Sequence, residues 1–197
     1  MGAAALAFPD NLSLVTLAGP KLPAWADLLQ LPQRAAHIAY KADTPSERNL
    51  LAARLDAEVS REDRAVLLVA EGPSCFATAW WARLSPASYV SRVAGALFFR
   101  PVEEEETANV DGPGHMFASP RTALPFPSIV LGADTARADL LPQIRTLARN
   151  WGSRVVVDRH SDPGPLRHTM RAIERFTLVI VENKVRAAQG LIGLSHS

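Results

Sequence analysis

From Val66 to Ala77 the chain reads Val66-Leu67-Leu68-Val69-Ala70-Glu71-Gly72-Pro73-Ser74-Cys75-Phe76-Ala77, an apolar strand pattern running directly into a turn of small residues. A helical pattern with Trp80, Trp81 and Leu84 follows. Strand, sharp turn and helix in that order form the local shape of a nucleophile elbow, which exposes a hydroxyl for attack on an ester or amide carbonyl. Gly72-Pro73-Ser74-Cys75-Phe76 matches G-x-S-x-G except for its last glycine, so Ser74 is the candidate nucleophile. Phe76 counts against this register, because close helix–strand packing after an elbow calls for a small residue. Cys75 reads as a small buried hydrophobe rather than a second nucleophile. Glu71, just past the strand, either faces solvent or lines a pocket.

The remaining titratable residues offer less. His37 falls in a strand pattern and reads as a hydrogen-bonded core or edge residue, while His115, His168 and His196 occur singly. None has a partner at metal-ligand spacing, so neither a metal site nor a cofactor is expected. One cysteine in 197 residues builds no disulfide framework and fits a reducing, cytoplasmic setting. Twenty-one Lys+Arg against twenty Asp+Glu leave a net charge of +1, which gives no field to hold nucleic acid. No apolar run approaches the roughly 18 residues of a membrane span. The apolar start, Met1 to Phe8, lacks the basic flank of a signal peptide.

These groups need a scaffold, and the apolar runs supply one. Leu12–Leu17, Ala35–Tyr40, Ala65–Ala70, Val93–Phe99, Ser128–Gly132 and Arg154–Val157 read as strands, several nearly free of polar alternation. Burial on both faces follows. Helical patterns between them give the rhythm of βαβ units and a mainly parallel sheet, hence an α/β class with a three-layer α/β/α arrangement in a single domain, 1–197. Pro45–Val59 is the clearest helix, with Thr44 as cap and Glu47 three residues on. Ala136–Trp151 reads likewise and ends at Gly152, with Pro142 either in the first turn or at a kink. Residues 100–127 form a long mobile loop that contains the acidic run Glu103–Glu106, read as a solvated segment. Residues 165–197 form a C-terminal extension, whose run Thr177–Val181 leaves strand and helix open and leans to helix.

The stretch from Leu14 to Ser153 resembles the small, lid-less serine hydrolases of the α/β-hydrolase superfamily, the group that includes retinoblastoma-binding protein nine and its bacterial relatives. The resembling pieces are Leu14-Val15-Thr16-Leu17-Ala18-Gly19 with Trp25, then Asp43-Thr44-Pro45 with Ala53-Arg54-Leu55-Asp56, then Val66–Ala70 with Cys75. Gly95-Ala96-Leu97, Leu124-Pro125-Phe126-Pro127-Ser128-Ile129-Val130 and Trp151-Gly152-Ser153 follow in the family's order. The resemblance implies a minimal α/β-hydrolase fold without a lid, and it implies a register for the elbow. In that register Gly72 stands at the nucleophile's position, Glu71 at that of the preceding histidine, and Cys75 at a structural cysteine. Pro73 follows the nucleophile's place and has no N–H for an oxyanion hole, a donor worth about 2.7–4 kcal/mol. Asp134 matches the family's acid, while Pro163 falls near the histidine slot and His160 stands ahead of it; for a register shifted to Ser74 the resemblance thus offers His160 as base and Asp134 as orienting acid, since a triad is a geometry and not a spacing.

Two independent parts of the machinery are thus missing from one turn. The expectation is a catalytically degenerate hydrolase-like protein acting through a protein partner or as a homo-oligomer, since a fold can outlive its site. Two alternatives stay open: a small carboxylesterase or amidase working through Ser74, and a carrier or sensor holding a small molecule in the vestigial pocket around Glu71, Pro73 and Cys75.

Overall fold

The computed structural model describes residues 10–21, 26, 35–102, 117, 122–134, 139–158 and 165–194, with backbone only at 132–134, 158, 165–167, 184–185 and 187–194. The six apolar runs become strands β1 (Leu12–Ala18), β2 (Ala36–Ala39), β3 (Ala65–Glu71), β4 (Val93–Phe99), β5 (Ser128–Asp134) and β6 (Arg154–Asp158). They join in one sheet of order β2-β1-β3-β4-β5-β6, and every neighbouring pair is parallel.

Helices α1 (Pro45–Arg61), α2 (Ser74–Leu84), α3 (Ala87–Val90), α4 (Leu141–Trp151) and α5 (Pro165–Leu194) complete the described elements. Alternate strand residues divide between two layers, as a period of two requires. Val15, Leu17, Val66, Leu68, Ala96, Phe98 and Val130 pack against Leu51, Leu55 and Val59 of α1, Cys75, Ala79 and Trp81 of α2, and Ile144 and Ala148 of α4. Leu14, Leu67, Val69, Leu97, Ile129 and Leu131 face the other way, against Met170, Ile173 and Ile180 of α5. The three-layer α/β/α sandwich is therefore realised, with α5, and the helical residue Ala26, on the second face among the described residues.

Local chemistry fixes the helix ends. Thr44 Oγ1 accepts the Glu47 N–H at 3.2 Å while the Glu47 carboxylate accepts the Thr44 N–H at 3.1 Å, a complete capping box at α1. A hydrogen bond from Lys41 holds the Glu47 carboxyl below its ordinary range. The expected helix from Ala136 begins later, at Leu141, and Pro142 lies in its first turn, where its missing N–H costs nothing. Thr177–Val181 is helical: Thr177 returns its hydroxyl to Ile173 O at 2.8 Å and Ile180 is buried. Most of the 100–127 stretch lies outside the described residues, but Pro101, Phe117, Leu124 and Phe126 are buried within it.

The two most specific resembling pieces meet in space. Leu124 N–H donates to Trp151 O at 2.9 Å, and the Ser128 and Ser153 hydroxyls lie 2.6 Å apart. Arg83 ties the same corner down, donating from Nε and Nη2 to Thr122 O and from Nη2 to Asn150 O. Partial burial draws its pKa below the ordinary value.

Helix α5 docks through a close approach. A Cβ built on Gly95 would lie 2.9 Å from Phe176 Cζ and 3.0 Å from Pro127 O, so the ring sits where any side chain at position 95 would project. Gly95→Ala is expected to cost about 1–3 kcal/mol through overpacking. Thermal melts should show the loss, and adding Phe176→Leu should return part of it. An unchanged melt would mean that α5 shifts freely on the sheet.

Candidate active site

The order of the sheet reverses between β1 and β3: from β1 the chain steps to β2 on one side, and all later strands add on the other. Parallel sheets bind ligands at the carboxyl ends of the strands flanking such a point, here Leu17-Ala18 of β1 and Ala70-Glu71 of β3. The turn leaving β3 is the elbow-like segment itself. Gly72 has a left-handed φ of 58° and its N–H donates to Phe99 O at 3.0 Å. Pro73 then takes helical angles, φ −58° and ψ −27°, and α2 begins at Ser74. The apex of the turn is therefore Gly72. An added Cβ there meets nothing within 4 Å.

Ser74 lies one step inside the helix and is fully buried. Its Oγ is 2.6 Å from Leu17 O and 2.8 Å from Glu71 O, and it accepts the Glu71 N–H at 3.0 Å. One hydroxyl proton thus has two carbonyl acceptors, and one of the two lone pairs is already engaged by a backbone N–H, so backbone groups hold the proton and half of the accepting capacity. The hydroxyl bridges the ends of β1 and β3. The Phe76 ring, expected to crowd the helix–strand contact, instead turns to α4 and meets Trp151 edge on, with centroids 5.6 Å apart. Cys75 is buried, with Sγ 3.6 Å from Phe99 O.

Glu71 ends β3 with its side chain only 13% exposed and forms an ion pair with Arg100. The residue that neutralises it stands one position past β4. Arg100 itself is the one non-glycine with positive φ among the described residues, at 43°, and its N–H donates to Leu131 O at 3.0 Å. A left-handed non-glycine costs roughly 1–2 kcal/mol. Such outliers cluster at functional sites, and this one stands where the guanidinium meets Glu71 at the end of β3.

The loop after β1 is held from the other side. His37 on β2 places Nδ1 2.9 Å from Thr16 Oγ1 and Nε2 3.2 Å from Gly19 O, which is the hydrogen-bonded strand histidine expected from the sequence. Asp134 closes β5, two strands from β3 and thus about 10 Å away in backbone terms, paired in register with Asp158. Only its backbone is described. His160, Trp25 and the Glu103–Gly114 segment lie outside the described residues. The structure thus brings Glu71, Gly72, Ser74 and Arg100 together at one strand end. Arg100 was not singled out from the sequence, although its place one residue past an apolar strand, beside Glu71 in a parallel sheet, was the available signal. No group of three or more His, Cys, Asp or Glu side chains that could hold a metal occurs among the described residues, and none of their helices is long and apolar enough to cross a membrane.

Comparison with known proteins agrees with this architecture. The crystal structure of a protein described as a YdeN-like hydrolase, from Pectobacterium atrosepticum, superposes with a TM-score of 0.56 over 86% of this chain and 92% of its own, at 13% sequence identity. At that identity the likeness is one of fold. No curated protein is significantly similar in sequence. The model of the family described as serine hydrolase matches residues 19–162, well over half of the chain, from just past β1 and inclusive of the end of β3 and the turn at Gly72. The chain belongs to the serine hydrolase family.

Proposed function

We propose that this member of the serine hydrolase family has lost hydrolytic competence and acts by binding or assembly. The observation that carries the reading is the turn after β3. A glycine stands at its apex, where the family's register places the nucleophile, and a proline without an N–H follows it. The nearest hydroxyl, that of Ser74, is fully buried and engaged by Leu17 and Glu71. To attack a carbonyl it would have to abandon these partners, and a buried polar group left unsatisfied costs about 1–3 kcal/mol. The Glu71–Arg100 ion pair stands at the same strand end, a charged feature that a ligand or partner could meet.

The second reading is a small carboxylesterase or amidase with Ser74 as nucleophile, and family membership favours it. A fluorophosphonate probe separates the two. The purified chain is expected to take no label, while Gly72→Ser combined with Pro73→Leu is expected to take label, since space for the new side chain is already open at Gly72. Labelling of the unaltered chain that disappears in Ser74→Ala would establish the enzyme instead.

A further inference from the structure

Helix α5 has two unlike faces. Met170, Ile173, Thr177 and Ile180 are buried, three of them in the layer that covers the sheet, while Arg171, Arg175, Leu178, Val179, Glu182 and Arg186 are exposed on the opposite side. Leu178 and Val179 are 58% and 51% exposed, two of the four large apolar side chains so exposed among the described residues. The other two, Leu50 and Leu84, stand on separate helices, as scattered surface apolar residues commonly do. Only on α5 do two such side chains adjoin. They also sit near its middle, because a helix from Pro165 to Leu194 is centred between 179 and 180.

Charge on that face is ordered about the same point. Arg175 lies on the amino side and Glu182 on the carboxyl side, each three and a half residues, or about 5 Å, from a point between 178 and 179. Arg175 makes no ion pair among the described residues, and Glu182 has a single long one, 3.8 Å to Arg186, with both side chains exposed. A second helix turned end for end about that point sets its Glu182 opposite Arg175 and its Arg175 opposite Glu182. Leu178 and Val179 then meet their own copies between the two ion pairs, and Glu174 falls opposite Asn183. Arg171 falls opposite Arg186 at about 11 Å from the axis, where the guanidinium of Arg186 is drawn toward its own Glu182. A parallel arrangement would instead set arginine against arginine and glutamate against glutamate, so charge selects the antiparallel one.

We propose that two copies of the chain associate about a two-fold axis through the outer faces of their α5 helices, antiparallel, with Leu178 and Val179 at the centre and an Arg175–Glu182 pair on either side. The face is complementary to itself in both shape of pattern and sign of charge, as a closed two-fold contact requires. One pair of helices makes an interface at the small end of the known range, so the dimer dissociates on dilution, and exposed ion pairs make it sensitive to salt. No residue of the turn at Gly72 takes part, so the association holds whichever result fluorophosphonate labelling gives.

Sedimentation velocity on the full chain is expected to show a species of twice the 21.3 kDa monomer mass that grows with concentration and recedes at high salt. Arg175→Glu and Glu182→Arg, each at an exposed position, should each give monomer with circular dichroism unchanged, because each sets like charges opposite one another. Mixing the two variants in equal amounts should restore the dimer, since every opposed pair then joins opposite charges. Leu178→Asp should leave monomer at all concentrations. An original chain that stays monomeric throughout, as it would if a different protein covered this face, overturns the proposal. So does a dimer that the single charge reversals leave intact, or a mixture of the two variants that remains monomeric.

Discussion

Trp81→Ala is expected to destabilise the chain by about 3–5 kcal/mol, the range for truncating a large buried aromatic. Trp81 is 1% exposed in the layer shared by α1, α2 and the sheet, and its indole N–H donates to Asp56 Oδ1 at 2.8 Å. The substitution opens a cavity under two helices and also leaves the Asp56 carboxylate without its α2 partner. Trp80, its neighbour, is only half-buried and stacks edge on to Phe117, with centroids 5.8 Å apart. Trp80→Ala should therefore cost distinctly less. At about 2–4 °C per kcal/mol for a chain of this size, the Trp81 variant should melt roughly 6–20 °C lower. Equal effects of the two substitutions in thermal melts would show that the helix is not seated as described.

Ser74→Ala is the second large effect, and it bears on function. Removing the hydroxyl leaves the Glu71 N–H without its side-chain acceptor, and it takes from Leu17 O the donor that closes the gap between β1 and β3. Each buried group stranded costs about 1–3 kcal/mol, so a loss near the top of that range is expected. Equilibrium denaturation should show a lower midpoint with an unchanged slope. A serine kept for chemistry behaves differently: strained catalytic groups are commonly replaced with little loss or some gain of stability. A Ser74→Ala chain as stable as the original would thus move the reading back toward a nucleophile. A destabilised chain marks the hydroxyl as a clamp across the crevice.

Much of the fold was legible because it depends on neighbours in sequence. The strands announced themselves as uninterrupted apolar runs, since a parallel sheet covered on both faces leaves no polar side to alternate. Thr44 and Glu47 marked the start of α1 because a capping box is closed within four residues. The start of α4 was placed too early at Ala136, because apolar periodicity runs on past the point where the backbone turns, and only Pro142 in the first turn fixes the true beginning. Thr177–Val181 is helical against its β-branched composition because Ile180 and Phe176 gain burial on the sheet, which outweighs a few tenths of a kcal/mol of local preference.

Sequence alone determined the class of the protein, the order of its strands along the chain and the presence of a strand–turn–helix with glycine and proline in its turn. Tertiary structure decided what the turn's remaining groups do. Ser74 faces Leu17 from 57 positions away in the chain, and Glu71 meets Arg100 only because β3 and β4 pair in parallel with Glu71 beside Phe99. Local pattern fixes which residues are buried and which turn sharply, since burial and backbone sterics act over a few residues. Whether a hydroxyl is free to react depends on which carbonyls the sheet register sets against it, and that is settled only when distant strands come together.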